Sequence, residues 1–158
     1  MCGFVGFIGP GEAATAVYLA LQALQHRGQD AAGMGTWDGA RFHLRKDLGL
    51  VSQALPPAML PELKGHAAIG HVRYPTAGAF ATREDAQPFV TARPGILLAH
   101  NGNVVNQDAL NAELRAADWH VHSECDAEPI LMTLAQELTS RADGNFTTDH
   151  LTQAVAAT

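Results

Sequence analysis

Cysteine, aromatic side chains and basic charge are all scarce in this 158-residue sequence, and it contains no long apolar run. Two cysteines, Cys2 and Cys125, are too few for a disulfide framework. In a reducing compartment they are expected as reactive or buried thiols rather than as a staple. No stretch approaches the roughly 20 apolar residues that a membrane-spanning helix needs. The N-terminus also lacks the basic stretch and long apolar segment of a secretory signal, so a cytoplasmic protein with no membrane partner is expected. Ten Lys and Arg stand against sixteen Asp and Glu, a net charge of −6, with the arginines scattered. A phosphate backbone is repelled on average by such a surface, and nucleic acid is disfavoured as a partner. What remains is a globular balance, 47% hydrophobic and 16% charged, with enough glycine and proline for many tight turns and no low-complexity tract. The length fits one domain, without repeat or linker.

Short strands alternate with three or four amphipathic helices, which predicts an α+β protein. Gly3 to Ile8 is apolar on both faces, as in a buried strand, and the Gly9-Pro10-Gly11 turn leads into a helix with Val17, Leu21 and Leu24 on one side. That helix is expected to stop at Gly28. Met34 to Trp37 and Arg41 to Lys46 flank Asp38-Gly39, a dipeptide suited to the positive φ angles of a two-residue hairpin turn. Pro56, Pro57 and Pro61 break the next stretch. His66 to Val72 and Gly95 to His100 then read as strands separated by a polar loop. Asn106 can cap a helix carrying Leu110 and Leu114, and Asp126 another carrying Ile130, Leu134 and Leu138. Leu151 and Val155 place a further helix at the end of the sequence.

Cys2 is the most informative residue. Removal of Met1, which a small neighbouring side chain favours, leaves the thiol on the residue that carries the free α-amine. An amine of pKa about 8 is matched to a thiol of pKa about 8.5, so such a nucleophile brings its own general base. The bland alternative is a small hydrophobe at the start of a strand. Hydrolysis of an amide also needs donors for the developing oxyanion. His100-Asn101-Gly102-Asn103 offers an Asn side chain and a Gly N–H at a strand end, although Asn-Gly is more often only a turn. An amino-acid substrate needs a cation for its carboxylate and an anion for its ammonium. Arg73, with Thr76 nearby, and Asp126 are the candidates, with a plain helix N-cap as the alternative for Asp126.

Taken together, these residues resemble a family. Met1-Cys2-Gly3-Phe4-Val5-Gly6 is similar to the opening of the class II glutamine amidotransferases, whose N-terminal cysteine hydrolyses glutamine. Leu24 to Gly33, Gly70 to Gly78 and Ala99 to Asn106 resemble the amidophosphoribosyltransferase branch of that family. Relatives that make glucosamine 6-phosphate tend to carry Tyr-Arg-Gly-Tyr-Asp and Arg-Trp-Ala-Thr at the corresponding places.

The resemblance implies a four-layer αββα sandwich of the N-terminal-nucleophile hydrolase type and a set of roles. Cys2 would be the nucleophile, and Asn101 and Gly102 the oxyanion hole. Arg73 and Thr76 would hold the glutamine carboxylate and Asp126 its ammonium, while Arg27 would order the site beside the nucleophile. It also implies ammonia supply for phosphoribosylamine synthesis, the first step of de novo purine synthesis. Cys125 stands where the family usually has Ser, and Pro75 where Ser is also common. The family's Gly-Ala-Tyr-Ser strand and Arg-Asp-Pro-Leu-Gly-Ile-Arg-Pro-Leu segment do not occur, nor does the phosphoribosyltransferase domain with its magnesium site. Residues 1 to 158 therefore read as the N-terminal part of the glutaminase domain, with no cofactor of their own. Open sheet edges in such a piece favour self-association, so a homo-oligomer is an expected partner alongside glutamine.

Two other readings compete. Gly9-Pro10-Gly11-Glu12-Ala13-Ala14 fits the Gly-x-Gly-x-x-Ala turn of a dinucleotide-binding module. His120 and His122, with Cys125 close behind, form part of a zinc-ligand pattern without an evident fourth ligand.

Overall fold

In a computed structural model, residues 1–74, 82–141 and 144–158 are described, and they fall into two compact units. The first comprises Met1–Pro88 and Leu97–Asn101, the second Phe89–Ile96 and Gly102–Thr158.

The first unit is built on a four-stranded antiparallel sheet in the order β1-β4-β2-β3, from β1 (Gly3–Ile8), β2 (Ala31–Trp37), β3 (Phe42–Leu48) and β4 (Ala67–Arg73). β4 lies between β1 and β2, which places Gly3 opposite Val72 and Ala31 opposite Arg73. Among the described residues β1 thus pairs on one side only. Contrary to the expectation of a buried strand, its Phe4 and Ile8 are exposed. Phe4 and Ile8 alternate with Val5, which packs toward α1, so among the described residues the strand is covered on one face and open on the other. An antiparallel sheet also rules out the dinucleotide-binding reading, which requires a parallel crossover between neighbouring strands.

Helix α1 (Ala13–Ala23) covers one face of this sheet. Val17 and Leu21, one helical turn apart, are fully buried with Ala32, Met34 and Val72, and Leu24 packs against the same cluster. Fully burying an aliphatic side chain of this size contributes about 1.5–3 kcal/mol. The α-helix ends at Ala23, and a turn of 3₁₀ helix, Gln25–Arg27, carries the chain to Gly28. α2 (Val51–Ala54) is a single turn, followed by 3₁₀ helix over Pro57–Glu62 where proline breaks the chain.

The hairpin between β2 and β3 has four loop residues instead of two. Trp37 pairs with Phe42, Gly39 alone takes a positive φ of 99°, and the Asp38 carboxylate accepts the N–H groups of Ala40 and Arg41 at 2.8 and 2.9 Å. The Asp38 side chain therefore mimics a backbone turn. Its bond from His43 at 2.7 Å, together with those two N–H groups, holds its carboxyl well below the usual range.

The opposite face of β2 admits a close approach. A side chain on Gly33 would collide with the carbonyl of Gln87, so glycine lets residues 82–88 lie directly on the sheet. Lys46 on β3 secures that segment by donating to the carbonyl of Ala86 at 2.5 Å and of Glu84 at 3.1 Å.

The second unit contains β5 (Phe89–Ala92), which pairs with β6 (Gly95–Leu98), and helices α3 (Gln107–Ala116), α4 (Ala127–Arg141) and α5 (Thr148–Ala157). β5 falls in the stretch expected to be a polar loop. Leu131, Leu134, Ala135 and Leu138 form the buried stripe of α4, which packs against β5, α3 and α5. The buried Glu128 carboxylate accepts from Ser123 N–H at 2.7 Å, Ser123 Oγ at 2.6 Å and His122 N–H at 3.2 Å, anchoring the segment before the helix. Asn106 occupies the N-cap position of α3, but its side chain makes no capping bond. Thr147 caps α5, accepting from His150 N–H. Leu151 and Val155 on α5 are exposed.

Burial on β4 pushes the His71 imidazole down to about 4, and the positive charge of Arg73 acts in the same direction. The folded chain therefore keeps His71 neutral, while the unfolded chain takes up a proton below about pH 6.5. Stability is fully present above pH 6.5 and fades as pH falls toward 4, by about 3 kcal/mol in all. Urea unfolding at several pH values is expected to show this slope, and His71→Phe should flatten it.

Candidate active site

The register of β1, β4 and β2 gathers three chain segments at one end of the first sheet. β1 begins there with Cys2 just before it, β4 ends there at Arg73, and β2 begins there after Asp30. Cys2 is half-buried, and its Sγ accepts the backbone N–H of Tyr74 at 3.4 Å. Its carbonyl is held from two sides: Arg27 Nε and Asn101 Nδ2 each donate to it at 3.0 Å. Met1 is exposed, leaving the bond before Cys2 open to processing.

Arg27 reaches this position because the 3₁₀ turn after α1 is locked in place. Gln25 donates to the Gly28 carbonyl at 2.6 Å and accepts the Val51 N–H at 2.7 Å, tying the turn to the start of α2. Gly28 itself lies against the backbone of Arg73, where a Cβ would stand 2.6 Å from the carbonyl carbon and oxygen. That contact needs a residue without a side chain.

Arg73 is the cation expected from the sequence to meet a substrate carboxylate. In the structure its Nη1 donates to Asp30 Oδ2 at 3.1 Å, and the Asp30 N–H donates to the Arg73 carbonyl, also at 3.1 Å. The Arg73 side chain is only 12% exposed and that of Asp30 24%, so this is a sheltered charge-assisted pair. Asp30 and Tyr74, with His26 and Gln29, line a cavity of about 300 Å³. Asp30 went unassigned in the sequence, although it sits in the Gln25-His26-Arg27-Gly28-Gln29-Asp30 motif. Nothing local in that string shows that it faces Arg73.

The remaining residues distribute as follows. Asn101 ends the first unit, and Gly102 follows it in the chain as part of the second. Asp126 belongs to the second unit, immediately before α4, and its Oδ2 accepts the Val104 N–H at 2.8 Å. Cys125 beside it is buried, with its Sγ 3.9 Å from Asp126 Oδ1. Thr76 and Pro75 lie outside the described residues. Among the described residues no three His, Cys, Asp or Glu side chains come together as a metal site. His120, paired at 3.7 Å with Asp118 and largely exposed, is a surface residue, which weighs against the zinc pattern.

A family model described as a glutamine amidotransferase domain matches residues 71–154, just over half of the chain. The chain belongs to the glutamine amidotransferase family. It is 47% identical over 143 residues to the amidophosphoribosyltransferase of Pseudomonas aeruginosa, which covers 89% of this chain and 28% of that protein. It is 44% identical over its whole length to the Escherichia coli amidophosphoribosyltransferase, of which it covers 32%. Among solved structures, a glutamine phosphoribosylpyrophosphate amidotransferase from B. subtilis superposes with a TM-score of 0.80 at 32% identity. It covers 99% of this chain, and 33% of that chain is covered. A structure described as the allosteric regulatory enzyme of purine biosynthesis gives a TM-score of 0.82 at 33% identity with the same coverage. The amidotransferase chain thus spans about a third of the length of these relatives and shares their α+β fold.

Breaking the sheltered ion pair should destabilise this end of the sheet. Asp30→Asn is expected to lower the unfolding free energy by about 1.5–3 kcal/mol, the range for a hydrogen bond to a charged group, as read by urea denaturation at neutral pH.

Proposed function

We propose that Cys2, once Met1 has been removed, hydrolyses glutamine as an N-terminal nucleophile, and that in the complete protein the ammonia supplies phosphoribosylamine synthesis. The observation that carries this reading is the convergence of Arg27 and Asn101 on the Cys2 carbonyl at 3.0 Å each, with the thiol alongside. An Asn amide nitrogen carries two hydrogens, so holding that carbonyl uses one and leaves the other for an oxyanion.

The thiol passes its proton to its own α-amine and attacks the side-chain amide carbon of glutamine. Asn101, with the Gly102 N–H, takes the charge of the tetrahedral oxygen, a contribution worth about 3–4 kcal/mol per donor in comparable sites. The carbon–nitrogen bond breaks, and ammonia leaves with the proton returned by the ammonium. Water then cleaves the thioester, giving glutamate and the free thiol. Arg73, turned from Asp30 or sharing it, and Thr76 receive the substrate carboxylate. Asp126 receives the ammonium. Arg27 keeps the nucleophile's backbone in place. In this reading the complete glutaminase domain has the family's αββα sandwich, of which these residues are the N-terminal part. In the same reading, transfer of ammonia to a phosphoribosyl donor, with the magnesium that step would use, lies outside these residues. No helix among the described residues is long and apolar enough to cross a membrane.

Intact mass measured before and after treatment with diazo-oxo-norleucine tests the nucleophile. Loss of Met1 and a single adduct on Cys2 are expected, and labelling confined to Cys125 overturns the assignment. Cys2→Ala should abolish glutamine hydrolysis while the circular dichroism spectrum stays unchanged. Asp126→Asn is expected to raise KM for glutamine by about tenfold or more with kcat little altered, the signature of lost ground-state binding.

A further inference from the structure

Gln87 lies in the segment that rests on β2, and its side chain is almost entirely buried. Its amide meets His100 at both ends: Nε2 donates to the His100 carbonyl at 3.1 Å, and Oε1 accepts the His100 N–H at 2.7 Å. The two bonds reproduce the donor and acceptor that a neighbouring strand would offer. The His100 carbonyl and the Asn101 N–H belong to one planar peptide unit, so a partner that fixes the carbonyl also fixes the plane from which Asn101 departs. Asn101 then reaches the Cys2 carbonyl. Gln87 is anchored in turn, because its own carbonyl lies against Gly33 and the preceding Ala86 carbonyl is held by Lys46.

We propose that Gln87 is a positioning residue for amide hydrolysis: its amide, clamped on the His100 backbone, transmits the rigidity of the sheet to the oxyanion donor Asn101. The inference rests on the reading of Cys2 and Asn101 given above. An oxyanion donor is effective only when it stands at hydrogen-bond distance, about 2.7–3.1 Å, from the charge that develops, so a loosened Asn101 should lower turnover without removing the contacts that bind glutamine.

The test is a double-mutant cycle in the Met1-processed protein, using Gln87→Met, Asn101→Ala and the pair. Gln87→Met keeps an unbranched buried side chain and loses both bonds. Its kcat for glutamine hydrolysis is expected to fall about tenfold to a hundredfold, with KM nearly unchanged. Alkylation of Cys2 by iodoacetamide, which builds no oxyanion, should keep its rate. In the double variant, Gln87→Met should add little to the loss already caused by Asn101→Ala. An unchanged kcat in Gln87→Met, or losses that multiply in full, overturns the proposal. If Asn101→Ala itself leaves kcat unchanged, the oxyanion assignment fails, whatever Gln87 does. Should Gln87→Met not fold, Gln87→Glu replaces it: its activity relative to wild type should rise as pH falls and the carboxyl regains a donor. A ratio flat with pH overturns the inference.

Discussion

Antiparallel pairing of β4 with both β1 and β2 is the constraint on which the site depends. Six consecutive pairs fix β1 on β4 and seven fix β2 on β4, so Cys2, Arg73 and Asp30 end up together. Strand register is unforgiving here. A slip of one residue would exchange the two faces, turning His71 and Gly33 toward α1 and moving Met34 and Val72 out of the core. The hydrophobic packing of Val17 and Leu21 on that face therefore also determines where the thiol stands relative to Tyr74 and Arg27. Stability and chemistry are set by one pattern of hydrogen bonds.

Close backbone approach is the second device. Gly28 lets the turn carrying Arg27 abut the end of β4, and Gly33 lets the carbonyl of Gln87 touch β2. Each contact places a polar side chain over a position it could not reach across a bulkier surface. Short polar side chains then finish the positioning. Gln25 ties the turn to α2, and Gln87 holds the His100 backbone. Both glutamines use their donor and acceptor together, which fixes direction as well as distance and leaves neither polar end unpaired in a partly dry environment.

Much of this was legible in the sequence, and the misses share a cause. The α1 face was readable because Val17 and Leu21 follow the helical period, and β2 and β3 because a turn dipeptide lies between them. Strand β1 is legible as a strand but not in its burial, since an apolar run does not reveal which faces of a strand are covered. β5 was hidden by its brevity and by the prolines around it. The Asp38-Gly39 turn was correctly located and wrongly counted, because Asp38 satisfies two N–H groups itself and so allows a longer loop. Cys2, Arg27, Arg73 and Asn101 stand out by residue type and motif, whereas nothing local marks Asp30 or Gln87 for its partner.

Local chemistry accounts for that division. The sequence by itself determined the α+β class, the helix faces, the family and the reactive residue types, because periodicity, turn composition and motif order act over a few neighbouring residues. Only the tertiary structure decided that Asp30 is the partner of Arg73 and that Gln87 bonds to the His100 backbone. Those pairings join residues 43 and 13 positions apart, through sheet register and glycine contacts. Such bonds have no period, and they exist only once the strands have chosen their neighbours.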